Sequence, residues 1–200
     1  MKRRIVFATG NAGKLREIKE ILGDLKLDIV SMKDAGIQAE IEENGSTYEE
    51  NALIKARAVA AFAEAGDIVM ADDSGLEIDH LNREPGIYSA RYLGENTSYR
   101  VKNQNLIERL TGVLDEERTA RFVCAIAAVL PDGREFTSRG VIEGRIGYEE
   151  KGTGGFGYDP IFQVPELGKS TAELTEDEKN AVSHRGRALR AMKEELIKVL

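Results

Sequence analysis

RRIVFATGNAGKLREIKEILG, Arg3 to Gly23, decides the fold. Arg3 to Thr9 is a β-branched and aromatic run closed by Gly10 and Asn11, after which Leu15, Ile18 and Leu22 recur at helical spacing until Gly23 stops the pattern. The stretch reads as a strand, a tight loop and a helix. Such a unit carries Thr9 to Lys14, TGNAGK, to a helix start, where backbone N–H groups, the positive end of the helix and the Lys14 ammonium can all address a phosphate. It is not a Walker loop, which would need glycine at Ala8 and serine or threonine at Leu15. A Gly/Asn turn that only caps a helix has the same appearance, and both readings stand on these residues alone.

Outward from this unit, Leu27 to Ser31 reads as a second strand, and Lys33 to Gly45 is an aperiodic loop carrying Glu40, Glu42 and Glu43. Thr47 and Glu50 form a capping-box signal for an alanine-rich helix that runs to Ala65 and stops at Gly66. Its buried stripe is expected at Leu53, Ala56, Ala60 and Ala63. Asn51 and Lys55, four apart, share a face and can either meet one ligand or lie in solvent. Ile68 to Ala71 is a short strand expected to end on Asp72, Asp73, Ser74 and Gly75, with Leu76 to Ile78 resuming the extended pattern. Ser98 to Leu110 reads as a helix. Arg121 to Leu130 and Arg134 to Ile146 read as a long hairpin around a Pro131–Gly133 turn. Thr175 and Glu178 signal another helix start, and Leu189, Met192, Leu196 and Val199 mark a last amphipathic helix. Alternating strands and helices followed by a hairpin argue for an α/β protein with a mixed sheet, a single domain over residues 1–200.

Composition limits the partners. The chain has 200 residues, about half of them apolar when glycine is counted, as in ordinary globular proteins. A net charge of −7 offers no general footprint for nucleic acid or an anionic membrane, so any polyanion must bind at a local site. The longest apolar run, Val123 to Leu130, is far below the ~20 residues of a membrane span. The start MKRRIVFATGN has too little apolar character for a secretory signal, which points to the cytoplasm. Cys124 is the only cysteine, so neither an internal disulfide nor a multi-thiolate metal site can form, and its apolar surroundings read as core.

Three groups of residues can carry chemistry. Asp72 and Asp73, together with Glu42 and Glu43, supply hard oxygen ligands suited to Mg2+, an ion usually held by one or two carboxylates plus substrate phosphates. Acidic groups facing a phosphate loop would repel the substrate unless such a cation lay between them. GTGGFGYDP, Gly152 to Pro160, sets Phe156 and Tyr158 among glycines, where an aromatic ring can stack on a flat base or turn into the core. SHRGRAL, Ser183 to Leu189, places His184, Arg185 and Arg187 at a helix start just after Lys179. That is the densest basic feature of an acidic chain, and as residues alone it also fits a solvated face.

TGNAGKLREI, ENGSTYEENALIKA, ADDSGLEID, PGIYSARY, GTGGFGYDPIF and EKNAVSHRGRAL, in this order, resemble the inosine triphosphate pyrophosphatase family over Val6 to about Leu189. The resemblance implies Mg2+-dependent hydrolysis of inosine, deoxyinosine and xanthosine triphosphates to the monophosphate and pyrophosphate. It also implies an elongated α/β fold around a long mixed sheet, an active-site cleft between two lobes, and a homodimer. By resemblance, Thr9, Gly10, Asn11, Ala12, Gly13 and Lys14 with Lys55 hold the phosphates, and Asp73 is general base and metal ligand, with Asp72 in support. Glu42 is the other ligand, or Glu43 if the loop alignment slips by one. Ser74 contacts substrate, Phe156 stacks on the base, and Gly157, Tyr158, Asp159, Lys179, His184 and Arg185 complete the nucleoside pocket. The alternatives are a related Maf-like pyrophosphatase for pyrimidine or modified nucleotides, and a non-catalytic nucleotide sensor.

Overall fold

The first strand-loop-helix unit is present in the computed structural model, which describes residues 3–200. β1 (Arg4–Phe7) leads to Asn11, whose side chain accepts hydrogen bonds from the N–H groups of Gly13 and Lys14 at 2.9 and 3.1 Å and so caps α1 (Ala12–Leu22). β2 (Asp28–Ser31) pairs parallel with β1, and β1 pairs parallel with β3 (Ile68–Ile78). Between β2 and β3 lies α2 (Tyr48–Ala60).

Then follow α3 (Tyr99–Arg109), β4 (Thr119–Val129), β5 (Glu135–Ile146), β6 (Phe162–Val164), β7 (Lys169–Ser170), α4 (Glu176–Val182) and α5 (His184–Ile197). The strands form one seven-stranded sheet in the order β2-β1-β3-β4-β5-β6-β7. Its β1 side is parallel, whereas β5, β6 and β7 pair antiparallel, so the sheet is mixed. The connection from β4 to β5 is too short for a crossover and makes a hairpin, closed by the Leu130 N–H donating to the Arg134 carbonyl at 2.9 Å. Gly133 takes the left-handed φ of +84° that this turn requires.

The chain divides into two compact units. The first takes the residues up to Asp73, then Cys124–Gly140 and His184–Leu200; the second takes Ser74–Val123 and Val141–Ser183. In the first, Ile18 and Leu22 of α1 and Leu189, Met192 and Leu196 of α5 pack on Ile5 and Phe7 of β1, Ile68 and Met70 of β3, and Cys124 and Ile126 of β4. In the second, Leu106 of α3, Phe122, Ile142, Phe162 and Tyr158 belong to a separate core. Cys124 is buried, and that burial, with the Asp72 charge adding to it, pushes its thiol pKa up to about 12. It stays a protonated core residue. Among the described residues no helix is long and apolar enough to cross a membrane.

Two local expectations are corrected. β3 does not end at Asp72 but continues through Asp72, Asp73, Ser74 and Gly75 to Ile78, because both carboxylates are matched by cations and can remain in the sheet. α2 ends at Ala60 rather than Ala65, and its buried residues are Tyr48, Asn51, Ala52, Lys55, Ala56 and Val59. Thr47 caps it by accepting from the Glu50 N–H. The Glu50 carboxylate reaches back to the N–H and hydroxyl of Ser46, at 2.7 and 2.6 Å, one residue before the position a capping box uses. The polar pair Asn51 and Lys55 therefore lies on the inward face, and Leu53 and Ala63 are only partly buried.

Candidate active site

Side chains alternate across a strand, so consecutive residues of β3 point to opposite faces of the sheet. Asp72 shares its parity with Ile68 and Met70 and lies on the face covered by α1 and α5; Asp73 lies on the face covered by α2. One dipeptide thus supplies two different environments.

Asp72 is 2 % exposed. Its carboxylate accepts from Lys14 Nζ of α1, 2.8 Å from Oδ2 and 3.0 Å from Oδ1, and from Arg185 of α5 at 3.4 Å. Arg185 also donates to Glu17 at 2.6 Å. Burial by itself would raise the Asp72 pKa, but Lys14, Arg185 and Lys55 outweigh it and hold the carboxyl below its usual range. Burial works against the Arg185 charge too, and the carboxylates of Asp72 and Glu17 raise its pKa nonetheless. Asp72 is a permanent anion that fixes two cations.

Asp73 is held differently. Lys55 Nζ donates to its Oδ1 at 3.2 Å, and Asn51 Nδ2 donates to its Oδ2 at 3.2 Å. Burial and the nearby Glu43 charge push its pKa up against the pull of Lys55 and Asn51. A carboxylate raised in this way is the more basic of the two and suited to accept a proton. Lys55 is also 3.2 Å from Glu43, and despite burial its three carboxylate neighbours Asp73, Asp72 and Glu43 keep it charged.

The acidic loop therefore reaches Asp73 through Glu43, whose carboxylate shares the Lys55 ammonium with it. Glu42 is exposed in the same loop. Among the described residues no three His, Cys, Asp or Glu side chains gather as a ready-made metal cage. Asp73 and one carboxylate of the loop nevertheless fit a hard divalent cation that completes its shell with water and phosphate oxygens.

In the TGNAGK loop, Thr9 is buried, and its hydroxyl accepts from the Asn11 N–H at 3.1 Å. Asn11 occupies the Gly13 and Lys14 amides. Gly10, Asn11 and Ala12 are exposed at this helix end, and Gly13 and Lys14 are half-buried.

The second unit holds the aromatic group. Asp159 Oδ2 accepts from the Phe156 N–H at 2.8 Å and from Lys179 Nζ at 2.8 Å, while its Oδ1 accepts from the Thr171 hydroxyl at 2.9 Å. Lys179 lies over the Phe156 ring, 4.7 Å from its centroid. Gly155, at φ +68°, packs against Asp159 so closely that a Cβ there would come within 2.2 Å of Oδ2. Tyr158 is turned into the core: its hydroxyl donates to the Ser89 carbonyl at 2.7 Å, and its ring meets Tyr99 edge-on at 5.2 Å. Asn103 Nδ2 donates to the Gly157 carbonyl at 3.3 Å.

Of the residues singled out from sequence, Thr9 to Lys14, Lys55, Asp72, Asp73, His184 and Arg185 belong to the first unit, with the Glu42–Glu43 pair; Ser74, Phe156 to Asp159 and Lys179 belong to the second. His184 is buried in the first turn of α5. Arg185 donates to both Asp72 and Glu17. Glu17 carried no sequence reading, although its place three residues after Lys14 sets both on one face of α1. Asn51 was marked only by its shared face with Lys55.

The first unit sets a lysine-bearing loop at a helix start beside two carboxylates of unequal proton affinity, and the second sets an aromatic ring under a lysine. The family model described as the Ham1 family matches residues 5–195, and the chain belongs to that family. It is 48 % identical to the dITP/XTP pyrophosphatase of Clostridium perfringens, with 99 % of each chain covered, and 49 % identical to that of Exiguobacterium sibiricum, with 94 % of each covered. Its fold superimposes on a HAM1 protein from Coxiella burnetii with a TM-score of 0.87, at 42 % identity over 100 % of both chains.

Proposed function

We propose that this chain is a nucleoside triphosphate pyrophosphatase that hydrolyses ITP, dITP and XTP to the nucleoside monophosphate and pyrophosphate and so clears non-standard purines from the nucleotide pool. The observation that carries this reading is Asp73, a buried carboxylate with a raised pKa held between Lys55 and Asn51. Membership of a family whose relatives are named dITP/XTP pyrophosphatases supports it.

In this mechanism Asp73 accepts the proton of the attacking water, the new P–O bond forms at the α- or β-phosphorus, and the bridging P–O bond between those two phosphorus atoms breaks with its electron pair on the departing pyrophosphate or nucleoside monophosphate. Lys14 and Lys55 neutralise phosphate charge, and Asp72 holds the Lys14 ammonium in place. A bound Mg2+ would supply further neutralisation of the triphosphate. Asp73 and a carboxylate of the Glu42–Glu43 pair are its proposed ligands. Glu43 is already paired with Lys55, so exposed Glu42 is the side chain expected to turn toward the ion. Glu42→Gln should therefore raise the half-saturating Mg2+ concentration more than Glu43→Gln.

Phe156 is proposed to stack on the base through the ring face opposite Lys179. Hypoxanthine and xanthine carry a 6-oxygen where adenine carries an amino group, and an unmatched buried group costs ~1–3 kcal/mol, about five- to 160-fold against ATP. With Arg185 held by Asp72 and Glu17, a backbone N–H of the Gly152–Gly157 loop is the proposed donor to that oxygen. The enzyme is further proposed to act in the cytoplasm as a homodimer, with no nucleic acid partner; light scattering on the purified protein checks the assembly.

Pyrophosphate release measured on ITP, dITP, XTP, the standard triphosphates, dTTP and UTP, with and without Mg2+, tests the activity. Mg2+-dependent release from the first three is expected. Preference for dTTP or UTP would replace this reading with the Maf-like one, and no release from any substrate would leave a nucleotide sensor.

A further inference from the structure

Asn51 is fully buried on α2, and both ends of its amide are used. Nδ2 donates to Asp73 Oδ2 at 3.2 Å, while Oδ1 accepts from the Gly45 N–H at 2.9 Å. One side chain therefore joins the carboxylate of β3 to the backbone of the acidic loop, two residues after Glu43. Lys55, one turn further along the same helix face, repeats the pattern through charge, bridging Asp73 Oδ1 and Glu43. Each oxygen of Asp73 has its own donor from α2, and each donor also grips the loop.

Gly45 belongs to the same device. A Cβ at this position would stand 2.7 Å from Asn51 Oδ1 and 2.8 Å from the Glu50 Cβ, so only glycine lets the loop backbone come close enough to donate to the amide. A buried amide with both ends satisfied allows a single rotamer, since flipping it would set Oδ1 against a carboxylate and Nδ2 against an N–H.

We propose that Asn51, with Gly45 as its seat, is a positioning residue that holds the Glu42–Glu43 loop in register with Asp73, so that carboxylates from two segments reach one divalent cation together. The inference rests on the reading of Asp73 as a cation ligand. Groups that orient ligands from behind in this way typically change metal affinity about ten- to a hundredfold when removed.

The test compares the wild type, Asn51→Leu and Gly45→Ala. Mn2+ binding to the nucleotide-free protein is followed by calorimetry, and Mg2+ dependence by pyrophosphate release from ITP, with the urea midpoint recorded for each. Both variants should weaken Mn2+ binding and raise the half-saturating Mg2+ concentration by about ten- to a hundredfold. The KM for ITP at saturating Mg2+ should change little. Gly45→Ala leaves Asn51 in place and displaces only its contact, so it stands on its own if the buried Asn51→Leu fails to fold. A lower urea midpoint with unchanged Mn2+ affinity in both variants overturns the inference and reduces Asn51 to a packing residue. A wild type that binds no Mn2+ and releases no pyrophosphate refutes the enzymatic reading as well, which separates the two failures.

Discussion

The carboxylate group of the first unit and the aromatic loop of the second are assembled in opposite ways. Asp72 and Asp73 draw their partners from residues 14, 51, 55 and 185, spread over α1, α2 and α5. Phe156, Asp159, Thr171 and Lys179 lie within one short span of chain, and Gly155 sits beside them. The first group is a balance of buried charges, where removing one member strands others. The second is a local scaffold that presents a ring. Substitutions in the first should therefore disturb chemistry and folding together or trade one against the other; in the second they should alter binding.

The largest effect is expected at Asp73. Asp73→Asn removes the proposed proton acceptor and should lower kcat by about 10²–10⁴-fold, while calorimetry with ITP should show binding largely kept. Substantial residual turnover would reject the base assignment.

Asp72→Asn should break the fold instead. It leaves Lys14 and Arg185 facing a neutral amide in a buried setting, where losing one partner of such a group costs ~3–5 kcal/mol, read as a drop in urea stability. The pH dependence has a definite sign. The folded-state pKa of Asp72 is depressed below the ordinary ~3.9, so its contribution is fully present above that value and disappears as pH falls through the folded-state value. The acid limb of the stability curve should flatten in Asp72→Asn. Asp73 has the reverse sign: its raised pKa means that ionising it opposes folding at neutral pH, so Asp73→Asn should leave the urea midpoint unchanged or higher.

A smaller effect is expected in the second unit. Phe156→Ala should cost ~1–3 kcal/mol of base stacking, seen as a KM for ITP raised by about five- to 160-fold with kcat nearly kept. Equal losses in kcat and kcat/KM would place Phe156 in the transition state rather than in binding. Gly155→Ala combines a left-handed φ of +68° with a contact on Asp159, and should destabilise by about 1 kcal/mol or more while weakening ITP binding. Arg57→Ala sets the lower end of the scale: its ion pair with Glu135 is exposed, and no measurable change in urea midpoint or turnover is expected.

The strand-loop-helix start, the caps at Asn11, Thr47 and Thr175, the Arg121–Ile146 hairpin and the final helix were legible because each rests on side-chain period or on hydrogen bonds spanning three or four residues. The two-residue β7 and three-residue β6 were not, being too short to show a period. β3 read as two pieces because Asp72 and Asp73 interrupt its apolar pattern, and nothing nearby in the chain reveals the lysines and arginine that let them stay inside the sheet.

The site divides in the same way. By itself the sequence determined which chemistry is available: the lysine-bearing loop, the paired carboxylates, the aromatic among glycines and the terminal basic cluster. The tertiary structure alone decided their surroundings. It turned Arg185 onto Asp72 and Glu17, brought Asn51 and Lys55 inward, and left Asp72 strongly acidic beside a more basic Asp73. The physical reason is range. Period and capping act over a few residues of chain, but a carboxylate's proton affinity depends on burial and on the charges brought against it through space, and those come from segments 18 to 113 residues away.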